Sequence, residues 1–222
     1  MESEGRKIHG QAAQAREDGN HLKSLQLSDE ALLAYQKDKA YLGFAEALAD
    51  RSIVFRHLHE ETGDRIFLIQ AKHEMMSSVK VAQSSGDKTA LAIPFFNLAK
   101  VHEALNELPE AVAAYKQAID YITYHPPKFH NRAAVVADFK VHLETCSYKN
   151  GDKSALERAE SALKELATVP VISDENYEAK EKQLDFNEEV DYNKNVWLSG
   201  AHMKIAEILK DDDPQKAKEF VK

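Results

Sequence analysis

Apolar residues recur along this chain at the three- and four-residue spacing of a helix face, and short polar breaks carrying glycine, asparagine or proline interrupt them. One set of breaks is almost evenly spaced: Asp18-Gly19, Thr62-Gly63-Asp64, Asn106-Glu107 and Asn150-Gly151-Asp152. From Gly19 to Gly63 is 44 residues, to Asn106 a further 43, and to Gly151 a further 45. A second set lies between them, near Lys37 to Lys39, at Ser84-Ser85-Gly86-Asp87, and at His125-Pro126-Pro127, where proline stops a helix. The first set falls inside helical hairpins and the second between them. This predicts helix pairs at 5–18 with 20–37, 39–61 with 64–84, 88–105 with 108–124, and 128–149 with 152–167.

The rhythm breaks over 168–192. Val169-Pro170-Val171-Ile172 ends a helix, and Asp174 to Asp191 then carries eight acids against Lys180 and Lys182, most of the chain's net charge of −8. Like charges this dense repel and leave no face to bury, so the segment reads as a solvated, loosely ordered insertion that a protease reaches first; its functional alternative is an acidic docking arm. Beyond it, Trp197 heads an apolar stripe with Ala201, Ile205 and Leu209, and Pro214 takes the first helical position after an aspartate turn. The helix opening at Gln215 carries Ala217, Phe220 and Val221 with no following partner. This end is therefore expected to expose apolar surface and self-associate, and the natural chain to continue past Lys222.

Composition narrows the class. With 8 Gly and 6 Pro in 222 residues there are too few turn residues for a sandwich or barrel, while 43% hydrophobic and 30% charged residues suit amphipathic helices in one domain over 1–222. No apolar run approaches the ~18 residues of a membrane span. No signal peptide is visible, and the lone Cys146 cannot form an internal disulfide, so a reducing cytoplasm is expected. A negative chain with dispersed Lys and Arg lacks the basic stripe that nucleic acid requires.

The third pair is the most legible. Phe95, Leu98, Ala99 and His102 form one stripe, and Ala111, Tyr115, Ala118 and Ile119 another. In order, Phe95, Leu98, Ala99, Ala111, Tyr115 and Ala118 resemble the tetratricopeptide repeat, with His102 in place of the usual aromatic. The fourth pair matches at Phe139, Ala155 and Ala162 and departs at Leu143 and Ala159. The period of 43 to 45 exceeds the ordinary 34, which resembles long-helix variants of that family; a HEAT-like repeat is the alternative architecture. The resemblance implies an all-α fold: a right-handed α-solenoid of about five antiparallel hairpins, the last incomplete.

It also implies a non-catalytic scaffold that binds a peptide or helix of a partner protein in its concave groove, or, alternatively, a regulatory receptor for a small signalling peptide. Transferred to this chain, the groove positions are Phe96, Asn97, Lys100 and Glu103 in the third pair, Lys140, Glu144 and Tyr148 in the fourth, and Asp50, Ile53 and His57 in the second. Phe96 and Tyr148 are expected outside the core, since Phe95, Leu98, Ala99 and Phe139 already fill it. No cofactor or metal is expected. His57 and His59 point about 200° apart on a helix, and His142 and Cys146 share a face but read as packing. Met75 and Met76, beside Ala71 and Val79, read as core filling.

Overall fold

The evenly spaced breaks are places where the backbone turns left-handed. Gly19, Gly63 and Gly151 adopt φ of 73°, 72° and 103°, and Asn106 adopts 62° in the equivalent place. A side chain with a Cβ resists this conformation, and asparagine tolerates it best among such residues. The computed structural model describes residues 3–124, 132–170 and 185–221, with 185–193 as backbone only. Among them are ten α-helices: α1 Glu4–Glu17, α2 His21–Lys37, α3 Tyr41–Thr62, α4 Arg65–Ser84, α5 Ala92–Ala104, α6 Leu108–Ile122, α7 Arg132–Lys149, α8 Ala155–Thr168, α9 Asp185–Leu209 and α10 Pro214–Glu219. No strand occurs among the described residues.

Side chains fix several starts. Ser3, Asn20, Asp64 and Asp213 each accept a hydrogen bond from a backbone N–H in the first turn of the helix that follows, and Pro214 stands at the first position of α10. Asp87 caps a 3-10 turn, Lys88–Ala90, so the helix expected from 88 begins at Ala92. The proline break at His125-Pro126-Pro127 lies outside the described residues, as does the acidic insertion from 171 to 184. From Asp185 the backbone is already helical, twelve residues before Trp197.

The chain forms two compact units, Met1–Glu107 and Leu108–Lys222. In the first, α1 packs on α2, α2 on α3, α3 on α4 and α4 on α5, while α1, α3 and α5 also neighbour one another. That places α1, α3 and α5 in one layer and α2 and α4 in another. In the second unit α6 packs on α7, α7 on α8, and α9 lies against both α7 and α8 and carries α10.

Small residues let these helices close. Ala12, Ala31, Ala45, Ala47, Ala71 and Ala99 are buried in the first unit, and Ala134, Ala137, Ala155, Ala159 and Ala201 in the second. At this approach three buried serines donate hydrogen bonds to backbone carbonyls of the facing helix: Ser24 to Ala12 (2.8 Å), Ser52 to Ala71 (2.9 Å) and Ser78 to Ala45 (2.7 Å). Each satisfies its hydroxyl while fixing the register of two helices. The α10 end differs from expectation. Ala217 is buried in the core of the second unit, and the Phe220 ring packs 5.9 Å from His202 of α9, so only Val221 of the three is bare.

Candidate functional site

The layer of α1, α3 and α5 holds seven of the residues that the sequence assigns to a groove. On α3, Glu46, Asp50, His57 and Glu61 stand at i, i+4, i+11 and i+15, one line along the helix. All four meet the first two helices. Arg6 pairs with Glu46, and His9 Nε2 lies 2.7 Å from Asp50. Arg16 reaches the other Asp50 oxygen at 2.9 Å. His21 Nε2 is 2.9 Å from Glu61, and its ring lies 5.6 Å from that of His57.

These contacts set the local charge. Burial alone would raise Asp50, but the hydrogen bond from His9 and the Arg16 charge outweigh it and hold the carboxyl below its ordinary value. Burial lowers His57 below the usual imidazole range; Glu60 opposes, and His21, Arg56 and Arg16 add to the lowering. Asp50 therefore spends both oxygens on holding α1 to α3. His59 points the other way, as its two-residue spacing requires, with Nδ1 3.0 Å from the Asp64 carbonyl oxygen.

On α5 the expected face is corrected. Phe96 is only 8% exposed, and Phe95, Leu98, Ala99 and Val101 are buried as well. Apolar side chains cover most of this helix's circumference, so no single stripe marks its inward side. The more exposed side follows Ile93, 43% exposed, with Asn97, Lys100 and Ala104 at i+4, i+7 and i+11. Lys100 Nζ lies 5.3 Å from the centre of the Phe96 ring, so the phenyl group supports the lysine rather than offering itself. Glu103 is half-buried. Beyond the helix, Glu107 is held by Lys72 and by His102 Nδ1, each at 2.6 Å, which gives the unusual histidine a structural partner.

In the second unit the assigned residues are tied to their own fold. Lys140 pairs with Glu165 at 3.2 Å, and Glu144 accepts from Arg158 at 2.7 Å, both linking α7 to α8. Tyr148 is buried, its hydroxyl donating to Asp212 at 2.6 Å while Lys153 Nζ sits 4.0 Å above the ring. It joins α7 to the turn before α10. This corrects its placement outside the core; a partner 64 residues away in sequence leaves no local signal. His142 and Cys146 are buried, with the His142 ring 5.8 Å from Tyr115 and Cys146 Sγ 3.9 Å from the Leu108 carbonyl oxygen. Among the described residues no group of three His, Cys, Asp or Glu side chains could hold a metal ion, and no helix is long and apolar enough to cross a membrane.

No family model matches the chain, and no curated protein matches it in sequence. Its likeness is to a solved structure. The crystal structure of BtubC (BKLC) from P. vanneervenii superposes with a TM-score of 0.61 at 20% identity, over 96% of this chain and 75% of that one. At such identity the likeness is one of fold.

Sequence reasoning missed Ile93 and the cluster that His9, Tyr35 and Arg16 form around Asp50. Ile93 lies four residues before Asn97, a spacing that would have joined it to the groove line. The cluster had no such signal, because its members come from three helices.

Proposed function

We propose that the chain is a non-catalytic helical-repeat scaffold of the long-helix tetratricopeptide kind, and that it holds a peptide or helix of a partner protein against the layer of α1, α3 and α5. The observation that carries this reading is the side of α5 bearing Ile93, Asn97 and Lys100, in the layer that α5 shares with α3. It combines bare aliphatic area, an amide that can pair with an extended backbone, and a cation. The ion pairs between α1 and α3 support it, since they fix the floor before any ligand arrives and reduce the entropy lost on binding. A reducing compartment suits the single buried thiol of Cys146.

The test is selection of displayed peptides on the full chain, followed by titration of the selected peptides against variants. Ile93→Ser and Lys100→Glu should each weaken binding about tenfold or more, with Arg65→Glu on the other layer as a control that binds normally. Peptides that bind both groove variants as tightly as the parent would refute this site.

A further inference from the structure

The outward side of α4 is apolar and basic and carries no carboxylate. Ile66, Ile69 and Met76 are 57%, 39% and 50% exposed. They stand at i, i+3 and i+10 over about 15 Å of helix. His73 at i+7 lies between them, and Arg65 and Lys80 are exposed on the same side. At 3.6 residues per turn all six fall within an arc of about 100°. The expectation that Met75 and Met76 both fill the core thus holds for Met75 alone.

Glu74, the single acid of α4, is turned inward, where it accepts hydrogen bonds from Arg51 and Gln70 at 3.2 Å. Several other cations of this unit, though not all, have carboxylate partners: Arg6 has Glu46, Arg16 has Asp50, Arg51 has Asp29, and Lys72 has Glu107. Arg65, His73 and Lys80 have none among the described residues. In a chain with 37 acidic and 29 basic residues, a 20-residue helix whose exposed side holds two cations, Arg65 and Lys80, with a histidine between them and no anion is locally opposite in charge to the whole.

We infer that this face of α4 docks an acidic amphipathic helix of a partner protein. The partner's apolar ridge meets Ile66, Ile69 and the adaptable Met76, and carboxylates beside that ridge meet Arg65, His73 and Lys80. A second copy of the chain fits worse, because an isologous contact sets the same cations against one another. An anionic membrane fits worse too, because the net charge of −8 on the whole chain opposes it. The face lies in the opposite layer from the groove proposed above and does not depend on it.

The experiment uses the full chain and a 20-residue synthetic helix with leucines on one side flanked by glutamates. The controls are the same helix with lysine flanks, phosphatidylserine vesicles, and sedimentation of the chain alone. The glutamate helix should bind, more weakly as salt rises, and the double variant Arg65→Glu, Lys80→Glu and the double variant Ile69→Ser, Met76→Ser should each lose about tenfold or more. Their circular-dichroism melts should match the parent, since all four side chains are exposed. Lys100→Glu should bind the helix normally. Equal binding of both helices, unchanged binding by the charge-reversed variant, or loss confined to Lys100→Glu overturns the inference. So does vesicle capture that needs Arg65 and Lys80, which gives the face to a membrane, or a dimer dispersed by Ile69→Ser, which gives it to a second copy.

Discussion

Gly43 of α3 leaves the space that the ring of Tyr35 occupies: a Cβ at that position would lie 2.7 Å from Tyr35 Cζ and nearer still to Cε1. Gly5 of α1 meets the same ring from another helix, where a Cβ would stand 2.7 Å from Cδ1. Tyr35 cannot swing aside, since it is buried on α2 with its hydroxyl 3.3 Å from His9 Nδ1. Three helices converge on one aromatic ring because two of them lack a side chain there.

The convergence predicts opposite signs for two similar substitutions. Alanine is the better helix former by about 1 kcal/mol. Gly10, with nothing within 4 Å, should gain that amount on Gly10→Ala. Gly43→Ala should instead lose about 1 to 2 kcal/mol net, because overpacking costs roughly 1 to 3 kcal/mol. Urea melts of both variants decide it. In a Tyr35→Leu background the penalty at Gly43 should shrink, and equal stability of the two single variants in the parent would show that the ring yields.

Asp50 predicts how the first helices respond to acid. Its folded pKa lies below the ordinary aspartate value, so its contribution is fully present above the unfolded value and is lost as pH falls through the lower folded one. The α1 to α3 contact should therefore loosen below about pH 4. Amide exchange in α1 should rise over that range in the parent. Asp50→Asn should be less stable at pH 7 and show a flatter acid limb; an unchanged limb would mean that other carboxylates govern it.

The helix pairs were legible because each hairpin repeats one demand, a left-handed residue inside the turn, and Gly19, Gly63, Asn106 and Gly151 meet it at nearly constant spacing. The proposed binding face was less legible. Phe96 and Phe95 are adjacent aromatics on a helix buried around most of its girth, and periodicity cannot tell which is outermost when both are covered. Tyr148 and Asp50 were misplaced for a different cause. Each is polar enough to suit a solvated groove, and each is satisfied by partners from another element, Asp212 of the turn before α10 in one case and His9 with Arg16 of α1 in the other.

Lys39 is the other non-glycine residue in the left-handed region among the described residues, at φ 54° between α2 and α3. Lysine lacks the short polar side chain with which asparagine eases this conformation. Lys39→Gly should raise stability by about 0.5 to 1 kcal/mol, the left-handed strain relieved less the added freedom of the unfolded chain. Asn106→Gly should gain less. Denaturant melts check both, and a loss at Lys39 would show that its side chain contributes more than its backbone costs.

On α5, burial and binding should separate along one helix. Phe96 is buried and Ile93, three residues earlier, is not, so the two respond differently to truncation. Phe96→Ala removes a ring from a packed site and also the surface over which Lys100 rests, and should cost about 3 kcal/mol of stability, the scale of buried Phe to Ala changes. Ile93→Ala removes a side chain already in contact with water and should cost under about 1 kcal/mol. For a peptide selected on the intact chain the order should reverse at temperatures where both variants are folded. Ile93→Ala should then lose affinity directly, whereas Phe96→Ala should lose it only as far as Lys100 shifts, which calorimetry would show as a weaker salt dependence than the parent's. If Phe96→Ala melts like the parent and abolishes binding, the phenyl ring faces the ligand after all, and the exposed line through Ile93, Asn97 and Lys100 is not the binding side.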